Sequence, residues 1–398
     1  MTQVEARGLV APGYEEVARA FARNFEEGAE VGAAVTVYRR GRPVVELWRG
    51  VANPETGRPW RRDTMAVLAS LSKTLVTGAA LMLTERGVLD LDVPVAHWWP
   101  EFAAEGKGGI TLRMVLSHRS GVVALDHRPI TYEALRTGTP VVEALAAARP
   151  EWPPGTAHGY HATTFGHLVG ELVRRTTGLT VGRFVAREIA GPLGLDCHIG
   201  LPADAVPRLA TSLPSQAETL MSGGENPGTS ALLAALADPA SLAHRVSISS
   251  MAADPMLMDE VTRVQVENPS YDGVASATAL ARFFAALIGE VDGVRLIGPG
   301  LVAELRRVHS TGPCRCLLLP ATWGLGVMVP DGPQFPADAG LGTAFGLSGA
   351  NGAFAFADPE HELSFGYLPN RGSAELGVLD ARTRRLVAAT YRSLADAA

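Results

Sequence analysis

The chain has 398 residues, with 35 Lys+Arg against 41 Asp+Glu for a formal net charge of −6. At ~150 residues per domain, that length allows two or three domains or one composite fold. Apolar residues make up 47% and charged residues 19%; this excludes global disorder, and the acidic balance lacks the clustered positive charge that nucleic-acid binding requires.

In chain order, residues 15–27 place Val17, Ala18, Phe21 and Phe25 on one helical face. Two β-rich runs follow around Arg39-Arg40-Gly41-Arg42 and read as an antiparallel hairpin. A helix is expected from Ser70 to a stop at Gly87, a C′ glycine. Helical periodicity then continues over 111–117, 141–148, 164–177, 180–190, 229–236 and 276–289. Within that span, 200–270 is rich in Pro, Gly, Ser and Met; it reads as loops, either a lid over a site or a variable surface excursion. Strand character returns at 321–329, 352–359 and 363–370, and a helix closes the chain. Strands at both ends with a helical mass between them predict an α+β fold. Residues 1–65 and 295–398 form an antiparallel sheet flanked by helices, and 66–294 form an inserted helical domain.

Three cysteines, Cys197, Cys314 and Cys316, cannot pair completely and have no partners at zinc-finger spacing. They read as thiols in a reducing compartment, so neither a metal nor an organic cofactor is expected. Residues 1–21 carry early acidic residues and no apolar core of signal-peptide length. No apolar run reaches the roughly 18 residues of a membrane span, and a cytoplasmic protein without membrane partners is expected.

Several catalytic signatures fail. Gly346-Leu347-Ser348-Gly349-Ala350 misses the nucleophile elbow at its last position. No lysine follows a phosphate-loop glycine pattern, and Gly340-x-Gly342 precedes no helix. His361-Glu362 has no second histidine at metalloprotease spacing. Ser70-Leu71-Ser72-Lys73 remains. Only Lys73 and Lys107 among the 35 basic residues are lysines, and chance supplies roughly 0.1 Ser-x-x-Lys pairs in such a chain. On a helix, positions i and i+3 share a face, so Lys73 can stand beside the Ser70 hydroxyl, whereas Ser72 points away from it. A weak hydroxyl nucleophile needs such a base, provided burial lowers the lysine pKa. A rigid turn, Pro153-Pro154-Gly155, delivers Tyr160, which near a lysine is either pushed toward phenolate or shuttles a proton.

These motifs, with 110–122, 153–178, 189–196, WGLGV at 323–327 and 345–370 in the same order, resemble the serine β-lactamase and penicillin-recognising superfamily. Within it they resemble the class C-like esterases, the family VIII carboxylesterases. The resemblance implies a site between sheet and helical parts. It makes Ser70 the acylated nucleophile, Lys73 its base and Tyr160 the second-motif tyrosine. The third motif falls on Leu347-Ser348-Gly349, and the backbone N–H groups of Ser70 and Ala350 become the oxyanion hole. His161, Leu347, Ser348 and Gly349 are the expected substrate-binding positions, His161 having a packed-loop alternative; His118 in LSHRSG reads as structural. Two residues depart from the lactamase pattern. Ala162 replaces an Asn, and Leu347 replaces the cation that would hold a β-lactam carboxylate.

The implied function is serine acyl transfer through acyl-Ser70, with a small-molecule ester or amide as substrate. Water as acceptor makes a carboxylesterase, and an amine or alcohol makes a transacylase. A non-catalytic ligand-binding homologue and a cell-wall peptidase are the rival readings.

Overall fold

The computed structural model describes residues 6–125, 130–215, 227–247, 254–335, 342–373, 375 and 378–396. Ten strands occur among them: β1 Arg7–Val10, β2 Gly32–Arg39, β3 Arg42–Asn53, β4 Arg58–Pro59, β5 Ala66–Val67, β6 Cys197–His198, β7 Val274–Ala275, β8 Phe345–Ser348, β9 Phe354–Asp358 and β10 Leu363–Pro369.

The hairpin turns at Arg40-Gly41, and its strand β2 pairs antiparallel with β10, from Leu363 opposite Arg39 to Pro369 opposite Ala33. The two ends of the chain thus meet in one sheet of order β1-β3-β2-β10-β9-β8, with β4 added to β3. Central strands β2, β9 and β10 are buried almost throughout, because helices cover both faces and no alternation is needed. On β10, Ser364 donates to Ala281 O at 2.6 Å, which turns that face to the helix Ala277–Ile288. Its neighbour Phe365 points the other way, onto Phe356, which stacks on Tyr391 of the helix Ala381–Asp396. That helix packs on Glu15–Glu26. The helix Ala277–Ile288, from the span read as a helical insert, packs against β2, β9 and β10.

The segment 321–329 is not the regular strand its composition suggests. It makes isolated bridges only, Trp323 with Ser310 and Met328, and Met328 with Gly346. Gly326 explains this: it sits at φ +67, donates to Leu116 O, and has no room for a Cβ, which would fall 2.0 Å from Thr77 Oγ1. The helix read at 180–190 is Val181–Phe184 followed by wider π turns over Val185–Ala190. Strand β1, the strand β8 and the small sheet β5-β7-β6 carry no sequence signal long enough to read. Of the 200–270 segment, residues 216–226 and 248–253 lie outside the described residues; the rest includes the helix Pro227–Ala237.

Candidate active site

Ser70 lies in a 3₁₀ turn, Ala69–Leu71, that opens the helix Ser72–Glu85. Ala69 has φ +47, a left-handed conformation that side chains rarely adopt. Such strain persists only where surroundings impose it, and four contacts do so. Ser72 donates from Oγ to Ala69 O at 2.7 Å and accepts from Gly273 N at 2.9 Å. Leu68 N donates to Gly273 O at 2.8 Å, and Asn351 Nδ2 to Val67 O at 2.8 Å. Ser72 is therefore a brace for the turn that presents Ser70.

One turn on, Lys73 is 1% exposed. Its Nζ donates to Ala162 O at 2.9 Å and to Ser270 O at 2.7 Å, and stands 3.5 Å from Ser70 Oγ. A neutral amine has two N–H groups and one lone pair. With the two carbonyls as acceptors, an ammonium gives its third N–H to Ser70 Oγ, and a neutral amine keeps its lone pair for the Ser70 proton. Burial with no acidic neighbour pushes the Lys73 pKa down to about 7.

The Tyr160 phenol interacts with the Ser70 side chain, and Lys73 Nζ lies 4.9 Å from its ring centroid. Burial holds the phenol well above its usual pKa, which favours its protonated form. Trp323 stacks on it at 5.3 Å between centroids, with planes 10° apart.

The turn after β8 closes the other side. Gly349 is there because a Cβ would fall 2.8 Å from Leu68 O. Leu347, Ser348, Gly349 and Ala350 line a cavity of about 650 Å³ that also opens onto Ser70 and Tyr160. His161 does not line it. That imidazole is fully buried, with Nδ1 on Gly159 O at 2.8 Å and Nε2 against Ser120 Oγ at 2.5 Å; it is the packed-loop alternative that the structure shows.

Sequence reasoning missed Ser270, Trp323 and the polar wall of Arg263, Tyr271 and Asp272, in which Arg263 Nε meets Asp272 Oδ1 at 2.8 Å. Ser270 acts through a backbone carbonyl, which no residue type announces. The three cysteines are free and buried. Among the described residues no cluster of three or more His, Cys, Asp or Glu could hold a metal ion, and no helix is long and apolar enough to cross a membrane.

The Beta-lactamase family model matches residues 17–389. The Mycobacterium tuberculosis (strain ATCC 25618 / H37Rv) protein named Esterase/beta-lactamase LipL is 34% identical over 384 residues, covering 94% of this chain and 85% of that one. The crystal structure of a family VIII carboxylesterase superposes with TM-score 0.80 at 32% identity, covering 98% of this chain and 100% of that one. The monacolin J acid methylbutanoyltransferase of Aspergillus terreus (strain NIH 2624 / FGSC A1156) is 31% identical over 159 residues, 34% of this chain and 38% of that one. With this fold, and with relatives named as esterase, β-lactamase and acyltransferase, the chain belongs to the beta-lactamase family and is an enzyme of its serine hydrolase and acyltransferase class.

Proposed function

We propose that the protein is a carboxylesterase acting on small esters through an acyl-Ser70 intermediate. One observation carries the reading: Lys73 Nζ has two carbonyl partners and Ser70 Oγ as its third neighbour, with its pKa near 7. Neutral Lys73 takes the Ser70 proton as Oγ attacks the ester carbonyl. Ser70 and Ala350 both line the cavity, and their backbone N–H groups serve as the oxyanion hole that the family resemblance implies. Tyr160, in the same cavity as Ser70, passes the proton from Lys73 to the departing alkoxide. Water then enters by the reverse path and releases the acid.

An apolar Leu347, 2% exposed and lining the cavity, supports uncharged esters over β-lactams, because it offers a substrate carboxylate no cation. The methylbutanoyltransferase relative supports a second reading, in which an amine or alcohol replaces water. Three buried free thiols support a reducing, cytoplasmic setting.

Intact mass after incubation with p-nitrophenyl butyrate tests the proposal. The wild type gains one butanoyl group and Ser70→Ala gains none. A wild type with neither adduct nor turnover across several aryl esters sinks it. Added amines or alcohols that capture the acyl group faster than water decide for the transacylase.

A further inference from the structure

The turn that carries Tyr160 spends its backbone in an unusual way. Gly159 N donates to His118 O at 3.0 Å, Tyr160 N to Cys314 Sγ at 3.2 Å, and His161 N to His118 Nδ1 at 3.2 Å. Three consecutive N–H groups are thus held by the framework, and His118 supplies the acceptors on both sides of Tyr160. We propose that His118 is a positioning residue that locks the Tyr160 phenol onto Ser70, acting through its imidazole Nδ1 and its own carbonyl.

This rests on the catalytic reading of Tyr160. His118 is fully buried just beyond the short helix Leu112–Leu116, and it holds φ +60. That left-handed conformation is disfavoured for histidine and turns its carbonyl and ring toward one loop. The ring also meets Tyr160 edge-on, 5.1 Å between centroids, and Trp323 at 4.3 Å, so it backs the stacked pair from the side.

The partners determine the proton positions. Gly159 O can only accept, so His161 carries its proton on Nδ1. Its Nε2 then accepts from Ser120 Oγ, which itself accepts from Val122 N at 3.1 Å. His118 Nδ1 accepts from His161 N, which leaves the His118 proton on Nε2. Burial keeps both rings neutral, His161 down to about 3 and His118 well below the usual value. The pair is a fixed acceptor chain and carries no proton for the reaction.

The test is a cycle of His118→Asn, His118→Gln and His118→Ala, each with Tyr160 intact and in Tyr160→Phe. The readouts are single-turnover acylation by p-nitrophenyl butyrate, KM and melting temperature. Asparagine bears its acceptor on Cγ, as histidine bears Nδ1, and tolerates the left-handed backbone. With Tyr160 intact, His118→Ala should slow acylation about 10- to 100-fold, the cost of roughly 1 Å of misplacement, with KM little changed. His118→Asn should restore most of that rate. In Tyr160→Phe, the same His118 substitutions should change the rate less than about twofold, since coupled residues are not additive. Equal losses in both backgrounds, or Asn no better than Ala, overturn the positioning role alone. If His118→Ala does not fold, His118→Gln, whose acceptor sits one bond further out, takes its place in the cycle. A Tyr160→Phe enzyme as fast as wild type overturns the reading of Tyr160 and this one with it.

Discussion

The chain has two lysines, both buried, and their surroundings differ by one group. Lys107 Nζ donates to three carbonyls, Ala104 O at 2.8 Å, Ala146 O at 3.0 Å and Ala148 O at 2.5 Å. These lie at the carboxyl ends of the turns Pro100–Gly106 and the helix Thr139–Ala147, where helix dipoles favour a cation. Three acceptors match the three N–H groups of an ammonium and leave no lone pair. Lys73 has two carbonyls and a serine hydroxyl, and a hydroxyl, unlike a carbonyl, also has a proton to give up to a neutral amine. Burial lowers both pKa values. On the proposed reading, Lys73 is a base because its third neighbour has a proton to give, whereas the third neighbour of Lys107 is another carbonyl.

This contrast can be broken by substitution. The largest effect is expected at Lys73: Lys73→Met should lower acylation on the order of 10³-fold, within the range for a general base. Lys73→Arg should not recover it, because a guanidinium stays protonated. Stopped-flow release of p-nitrophenol measures both. Recovery by arginine would mean that Lys73 serves only as a positive charge.

The pH profile sharpens the point. If neutral Lys73 is the base, kcat/KM rises with pH, about tenfold per unit below about 7 and levelling above it. The same limb should persist in Lys107→Met. A limb that moves with Lys107 would contradict the assignment of Lys73.

At Lys107 the expected effect is on stability. Lys107→Met leaves three buried carbonyls without a donor and should cost about 3 kcal/mol in denaturant unfolding, with kcat within about twofold of wild type.

A further effect is the pH dependence of stability at Lys73. Its folded pKa lies near 7, below the ordinary value of 10.5, so the unfolded chain binds a proton that the native state releases between those limits. Stability therefore rises with pH across the window. Lys73→Met removes this contribution, and its melting temperature relative to wild type should be highest at pH 7 and decline toward pH 10.5. A difference constant in pH would show that Lys73 keeps an ordinary pKa.

Much of this was legible in residue types and their spacing. Ser70 and Lys73 share one helix face because a helix turns once in 3.6 residues, and that local rule held although the first turn is 3₁₀. Strands β2, β3, β9 and β10 announced themselves as runs of β-branched and aromatic residues, and their pairing follows from the need to bury both faces. Short strands such as β5 and β7, two residues each, offered no period to read. Trp323 looked like part of a strand, but Gly326 turns it against Tyr160.

The state of Lys73 was beyond such reading. Its acceptors come from residues 89 and 197 positions away, Ala162 and Ser270, through backbone carbonyls. Every residue has a carbonyl, so neither acceptor is marked by its type. The clamp on Tyr160 is hidden for the same reason, since it joins His118 to backbone N–H groups 41 and 43 residues later. Local spacing places a nucleophile next to a base. Burial and long-range backbone contacts, which exist only once the chain has packed, lower the Lys73 pKa and fix the backbone on both sides of Tyr160.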